Sequence, residues 1–182
     1  MLTLEFDGLY REAPQDMGLG KNAGFMCYGW VIFRGKSVIA RGHGGYIRGT
    51  NASSNVAEYL ALIEGLDALL DMGAENEWVL IRGDAKSVIE QMEGYASVSA
   101  SSIKPLFKRA RKLVGQLKRV NWNWAPRKFN READSLTRRA LQQLRSNPQH
   151  YEEALHSLEP GGKGSKNNRL LPVLDLRLYG LT

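Results

Sequence analysis

Apolar and polar residues recur with changing periods along this chain, and the changes divide it into elements. Residues 2–6 (LTLEF) read as a short strand. After a glycine-containing loop, residues 24–33 (GFMCYGWVIF) and 36–47 (KSVIARGHGGYI) flank Arg34-Gly35 and predict a hairpin. Three strands therefore precede the first helix, which spans residues 54–72 with Val56, Leu60, Ile63 and Leu70 on one face and Gly73 as its stop. Residues 77–84 (EWVLIRGD) form a buried-type strand, residues 85–93 (AKSVIEQME) a short helix and residues 101–120 a longer one. In the longer helix Ile103, Leu106, Phe107, Ala110, Leu113, Val114 and Leu117 make the inward stripe. Lys104, Lys108, Arg109, Arg111, Lys112 and Lys118 fall on the other faces, exposed by construction. A fifth strand lies in VNWNWAP, residues 120–126, and a last helix covers residues 131–145.

This order predicts an α/β fold: an antiparallel three-strand start followed by parallel crossovers, giving a mixed five-stranded sheet with helices on both faces. Ligands of such sheets sit outside the carboxyl ends of the parallel strands. Asp7 and Asp84 each end an apolar strand with a glycine alongside (Asp7-Gly8, Gly83-Asp84), so both emerge at that edge. Glu58 and Asp134, each near the start of a helix that follows a strand, converge on the same place. Glu58 alone has a plainer reading, because Asn55 and Glu58 have the spacing of a capping box. Four converging carboxylates are another matter: they repel one another unless a divalent cation compensates. Mg²⁺ or Mn²⁺ suits such a site, and two ions roughly 3.5 to 4 Å apart stabilise the attacking and leaving oxygens of a phosphodiester.

Charge gives that site a partner. Residues 100–145 hold thirteen Lys/Arg against two Asp/Glu, whereas residues 1–99 hold eight against thirteen. The block has the electrostatic footprint of a phosphate-backbone binder, with a merely solvated helix face as the alternative. At 182 residues and 43% hydrophobic the chain is one ordinary domain with room for a tail. It has no apolar run near the ~20 residues needed to span a bilayer, and the N-terminus lacks the features of a signal peptide, so no membrane is expected and the reading is cytoplasmic. The single cysteine, Cys27, excludes an intrachain disulfide and a cysteine-based zinc site and reads as a small core residue. His43, His150 and His156 are too scattered for a metal cluster.

Taken together, "FDG" at Asp7, "NVAEYLALIEGL" at Glu58, "GDAKSVIEQMEG" at Asp84 and "NREADSL" at Asp134 resemble, in order and surroundings, the four acidic motifs of the type 1 ribonuclease H family. The resemblance runs from Leu2 to Leu144. It implies a metal-dependent endonuclease that cuts the RNA strand of an RNA/DNA hybrid, with Asp7, Glu58, Asp84 and Asp134 as metal-binding acids. It also implies that Asn55 reads the RNA minor groove, where the 2′-OH distinguishes RNA from DNA. Gly8, Lys128 and Asn130 join the expected substrate contacts. Lys104, Lys108, Arg111 and Lys112 on the long helix stand in for the basic protrusion of some members, which has no room here between Gly94 and Ser102.

The loop at residues 126–130 (PRKFN) has no histidine and resembles the family's histidine-less branch, which makes Arg127 the candidate for a phosphate or leaving-group contact. The usual Thr-Asn-Asn is here Ser53-Ser54-Asn55.

Two rival readings share the carboxylates or the charge. A 3′-to-5′ exonuclease needs two acids one residue apart after the first strand, and Asp7-Gly8-Leu9 lacks the second. A nucleic-acid-binding module without catalysis has no need of four acids. A ribonuclease H-fold nuclease acting on double-stranded RNA is the remaining variant.

Gly18-Leu19-Gly20-Lys21 fails as a phosphate loop, since Gln15 and Asn22 stand where it needs Gly and Ser/Thr. Trp122 and Trp124 share a strand face and read as core packing.

The catalytic domain is expected over residues 1–146. Residues 147–182 are then an extension with a polar linker at 160–168 and a strand pattern at 173–179, where Leu174, Leu176 and Leu178 alternate with Asp175, Arg177 and Tyr179. That strand either docks on the chain's own sheet or joins a partner protein's.

Overall fold

The computed structural model describes residues 1–19, 21–158 and 168–181. The expected linker at 160–168 lies almost wholly outside them. Six strands form one mixed sheet: β1 (Leu2–Glu12), β2 (Gly24–Arg34), β3 (Ser37–Arg48), β4 (Trp78–Gly83), β5 (Arg119–Trp124) and β6 (Leu171–Tyr179), in the order β5-β4-β1-β2-β3-β6. β1, β2, β3 and β6 pair antiparallel, while β4 pairs parallel to both β1 and β5. Five α-helices cover the faces: α1 (Ser54–Asp71), α2 (Lys86–Glu93), α3 (Lys104–Val114), α4 (Arg131–Ser146) and α5 (Pro148–His156).

The sheet's alternation explains the two layers of core. Leu4 and Phe6 of β1 and Met26, Tyr28, Trp30 and Ile32 of β2 pack against α1, with α2 and α3 completing that side. Phe25, Cys27 and Ile47 face the opposite way, under Ala140, Leu141 and Leu144 of α4 and Leu155 of α5. Cys27 is fully buried, and desolvation pushes its thiol up to about 12, as expected of a core residue.

Several elements depart from the expectations in instructive ways. β1 runs on to Glu12 instead of stopping at Phe6, because β2 pairs with all eleven of its residues even where the side chains turn polar. α1 is buried nearly all round rather than on one face: Ala57, Tyr59, Ala61 and Leu62 are as inaccessible as Val56 and Ile63, since the sheet lies under it and α3 beside it. Gly73, at φ +73°, follows α1 in the left-handed region, as its stop signal requires. The sheet has a sixth strand because the C-terminal segment docks antiparallel on the free edge of β3, covering a row of open backbone groups. The alternation at 173–179 predicts this strand, which starts two residues earlier at Leu171 and takes the chain's own β3 as its partner.

No helix among the described residues is long and apolar enough to cross a membrane.

Candidate active site

β4 pairs with β1 only as far as Glu5↔Arg82. Beyond that point β1 continues alone beside β2, and a notch opens between the two parallel strands. Asp7 lies on β1 at the notch, opposite Gly29 of β2, and Asp84 is the first residue after β4. Glu58, in the second turn of α1, reaches the notch from the other side of the sheet. Asp7, Glu58 and Asp84 each offer an oxygen within 4.8 Å of the others, the sole such group able to hold a metal ion among the described residues.

Two glycines permit this approach. A Cβ on Gly8 would lie 2.3 Å from the backbone of Ala57 and Glu58, so α1 can start this close to β1 only over a glycine. A Cβ on Gly29 would lie 2.6 Å from the Ala133 carbonyl oxygen, so α4 likewise seats its first turns directly over β2. That seating delivers Thr137, whose hydroxyl donates to Asp7 at 2.7 Å.

Each acid has a different environment. Asp7 is buried, and desolvation pushes its carboxyl up to about 7; the Thr137 hydroxyl opposes that rise, and the charges of Asp84 and Asp134 reinforce it. Glu58 is raised well above the usual carboxylate range, first by desolvation and then by Asp7 and Asp84, against the opposing hydrogen bond from the Gly8 backbone N–H. Its Oε2 is buried with no hydrogen-bond partner.

An orphaned buried oxygen among three mutually repelling carboxylates is expensive unless a cation is bound there. Oxygen-only donors suit a hard divalent ion. The residues therefore fit the metal that the sequence implied.

Asp134 stands at the margin of this group. It lies outside the trio and holds two arginines, Arg127 and Arg138, the latter at 2.9 Å. Its charge nonetheless acts on Asp7. Arg127 also acts on Asp7 and Glu58, lowering both carboxyls.

The capping box between Asn55 and Glu58 does not form. Ser53 caps α1 by accepting the Val56 N–H at 3.2 Å, which leaves Glu58 to the acids and Asn55 exposed, its side-chain oxygen accepting from the Ser87 hydroxyl at 3.2 Å. Asn130 is not a substrate contact, for it is fully buried. Its amide donates to the Phe6 carbonyl at 2.8 Å and to Asp84 at 3.4 Å, filling the place where β4 pairing has ended. Gly8, also expected at the substrate, spends its N–H on Glu58.

Trp124 is no core residue either. It is 47% exposed, and its indole N–H donates to the Asp84 carbonyl at 3.1 Å, while Trp122 packs half-buried against the core. Thr137 escaped the sequence reading altogether. Its signal was a hydroxyl within the apolar stripe of Ala133, Leu136, Ala140 and Leu144 on α4, three residues after Asp134.

Lys104, Lys108, Arg111 and Lys112 are exposed, as α3's amphipathic pattern predicts, and so is Lys128 in the loop before α4. Arg111 is partly engaged, donating to the Met92 carbonyl at 3.1 Å.

The sequence matches the family described as reverse transcriptase-like over residues 27–140. The bifunctional protein Rv2228c of Mycobacterium tuberculosis is 34% identical over 140 residues, covering 77% of this chain and 35% of that protein. This chain thus spans about a third of that relative's length. The solved N-terminal RNase H domain of Rv2228c, a fusion with maltose binding protein, superposes with a TM-score of 0.66 at 32% identity, covering 78% of this chain and 94% of that one. RNase H1 from the halophilic archaeon Halobacterium salinarum gives a TM-score of 0.64 at 31% identity over 78% and 98% of the two chains. LC11-RNase H1, solved in complex with an RNA/DNA hybrid, shares the fold with a TM-score of 0.65 at 24% identity, over 79% of this chain and 98% of that one.

Proposed function

Because this chain belongs to the type 1 ribonuclease H family, we propose that it is an endonuclease that hydrolyses the RNA strand of RNA/DNA hybrids. The observation that carries the reading is the convergence of Asp7, Glu58 and Asp84, from three separate elements, around a buried Glu58 oxygen that has no partner.

In this reading Asp7, Glu58 and Asp84 hold Mg²⁺, with Asp134 assisting from the rim. A metal held there would supply Lewis-acid chemistry, lowering the pKa of water and polarising a phosphodiester. The chain's own residues set the stage. Thr137 fixes the Asp7 carboxylate by its hydroxyl, and Asn130 ties Asp84 to the end of β1. Both bonds lock rotamers that would otherwise swing away from like charges. Arg127, whose guanidinium is anchored on Asp134, is the cation that meets the scissile phosphate or the leaving oxygen, in the role that a loop histidine would otherwise fill.

Substrate recognition divides by chemistry. Lys104, Lys108, Arg111 and Lys112 on α3, with Lys128, supply the sequence-independent attraction to phosphate. Asn55, exposed at the start of α1, supplies discrimination through the 2′-OH in the minor groove.

The test is a gel assay of one labelled strand presented as RNA/DNA hybrid, single-stranded RNA, double-stranded RNA and DNA duplex, with and without Mg²⁺. Internal cleavage of the hybrid's RNA strand alone, and only with metal, is the expected result. Trimming from a 3′ end, or equal cleavage of double-stranded RNA, overturns the reading.

A further inference from the structure

A cleft of about 320 Å³ opens between the outer part of β1 and α4. Its floor is apolar, formed by Leu9 and Leu141, and its walls carry four arginines: Arg11, Arg127, Arg138 and Arg145. No carboxylate lines it. Arg127 and Arg138 are drawn inward by Asp134. Arg11 and Arg145 are exposed and form no ion pair or side-chain hydrogen bond among the described residues.

The spacing of these residues is not that of a scattered surface charge. Arg138, Leu141, Gln142 and Arg145 recur at three- and four-residue intervals and so share one face of α4, and Arg11 extends that face across β1. The stripe leads from the carboxylate cluster outward. From Asp134 to Arg145 the helix advances about 16 Å at 1.5 Å per residue, which matches about five base pairs at 3.4 Å each. It lies on the opposite face of the sheet from α3, the basic surface already assigned to the substrate.

Two unpaired guanidinium groups, Arg11 and Arg145, over an apolar floor, continued inward by the Asp134-bound Arg127 and Arg138, match the chemistry of successive phosphates. The two unpaired arginines of this cleft, Arg11 and Arg145, leave an uncompensated positive charge that a polyanion would neutralise.

We propose that this cleft is a second nucleic-acid site, binding the phosphate backbone of the same duplex about five base pairs beyond the point of cleavage. The proposal rests on the nuclease reading for the identity of the duplex. The substrate then bridges both faces of the sheet, gripped by α3 on one side of the carboxylates and by α4 on the other. A hybrid too short to reach Arg145 uses only the first grip.

The experiment measures binding of labelled RNA/DNA hybrids by fluorescence anisotropy against salt, with chelator present so that nothing is cut. One hybrid is long (about 20 base pairs) and one short (about 6), and the Arg11→Ala/Arg145→Ala protein is compared with the parent. An Arg34→Ala/Lys36→Ala protein on the distant hairpin controls for net charge. For the long hybrid the slope of log affinity against log salt falls by about two, and affinity at ~0.1 M salt drops about tenfold or more. The short hybrid binds as it does to the parent. Unaltered slope and affinity for the long hybrid overturn the proposal, as does an equal loss for both lengths or for the hairpin control. The parent's cleavage of the short hybrid is read separately, so failure of the nuclease reading and failure of this site are distinguishable.

Discussion

Helix α1 carries two carboxylates inward less than two turns apart, and the protein treats them in opposite ways. Glu64, 3% exposed, has both oxygens occupied: the Tyr46 hydroxyl donates to one at 2.5 Å and the Arg177 guanidinium to the other at 2.5 Å. Arg177 comes from β6 and also pairs with Asp71 and Asp175, while the Tyr28 hydroxyl donates to Asp175 at 2.9 Å. Glu58 receives one backbone N–H, faces two like charges and leaves an oxygen unmatched. Burial raises both carboxyls, and at Glu64 it outweighs what Tyr46 and Arg177 return. Partnership therefore separates the two glutamates where pKa direction does not. A buried acid with its partners built in belongs to the fold, and one whose partners are withheld is reserved for something that binds.

The contrast is broken most severely by neutralising the reserved acid. If Glu58 is a metal ligand as proposed, Glu58→Gln should cost several kcal/mol of transition-state stabilisation and lower the hybrid-cleavage rate by about a thousandfold. The same substitution raises the melting temperature of the metal-free protein, because one of three repelling charges is gone. Wild-type cleavage rates in Glu58→Gln would place the metal elsewhere; a lowered melting temperature would make Glu58 a structural residue like Glu64.

A pH titration sharpens the same point. Asp7 is raised in the fold from 3.8 to about 7, so its contribution to stability is fully present below about pH 4 and is lost as pH rises through about 7. The difference is on the order of 4 kcal/mol at about 1.4 kcal/mol per unit. Metal-free protein thus loses stability between about pH 4 and 7, and Mg²⁺ restores it at the upper end. Denaturant unfolding at a series of pH values, with Mg²⁺ and with chelator, measures both curves. Asp7→Asn should flatten the metal-free curve, and a parent curve that is already flat contradicts the assignment.

Glu64 yields a smaller effect, on the fold alone. Arg177→Ala strands a buried carboxylate and costs about 3 kcal/mol, read as a shift in the denaturant midpoint. Glu64→Gln in the Arg177→Ala background recovers part of that loss, since the stranded charge is gone while Tyr46 keeps a partner. Cleavage at saturating substrate holds in both variants. A loss of cleavage with stability intact would instead connect β6 to the catalytic chemistry.

Much of the carboxylate cluster was legible because Asp7, Glu58 and Asp84 stand at places a periodicity can locate, strand ends and a helix start, whereas Asp134 stays at its margin. The chain order of the elements and the mixed character of the sheet, an antiparallel start followed by parallel crossovers, followed from the same signals. What escaped depended on contacts between distant segments. Nothing local reveals that β1 continues past Phe6, since β2 alone supplies its partner there. Asn130 looked like a loop residue open to substrate, yet the end of β4 pairing leaves the Phe6 carbonyl free and pulls its amide inside. The C-terminal strand read as an alternation without a known inner face. In the structure its polar side, Arg177 and Tyr179, turns toward Glu64 and Asp71 on α1, while Leu176 and Leu178 stay 40% and 47% exposed. A hydrophobicity pattern could not choose that side, because the choice was made by a buried charge on α1.

The smallest expected effect separates capping from recognition at the start of α1. The sequence offered Asn55 as the cap, and the structure gives that place to Ser53, whose side chain accepts the Val56 N–H. Ser53→Ala should therefore cost about 1 kcal/mol of stability, while Asn55→Ala, which loses only an exposed contact with Ser87, leaves the unfolding midpoint within a few tenths of a kcal/mol. Function should divide the other way. Asn55→Ala weakens hybrid cleavage but leaves salt-dependent binding to a DNA duplex intact, since a contact to the 2′-OH carries identity and the lysines carry charge. Ser53→Ala lowers the melting temperature with hybrid selectivity retained. If Asn55→Ala instead lost stability and bound hybrid and DNA duplex equally poorly, its side chain would belong to the helix start and the discrimination of RNA would have to come from another group.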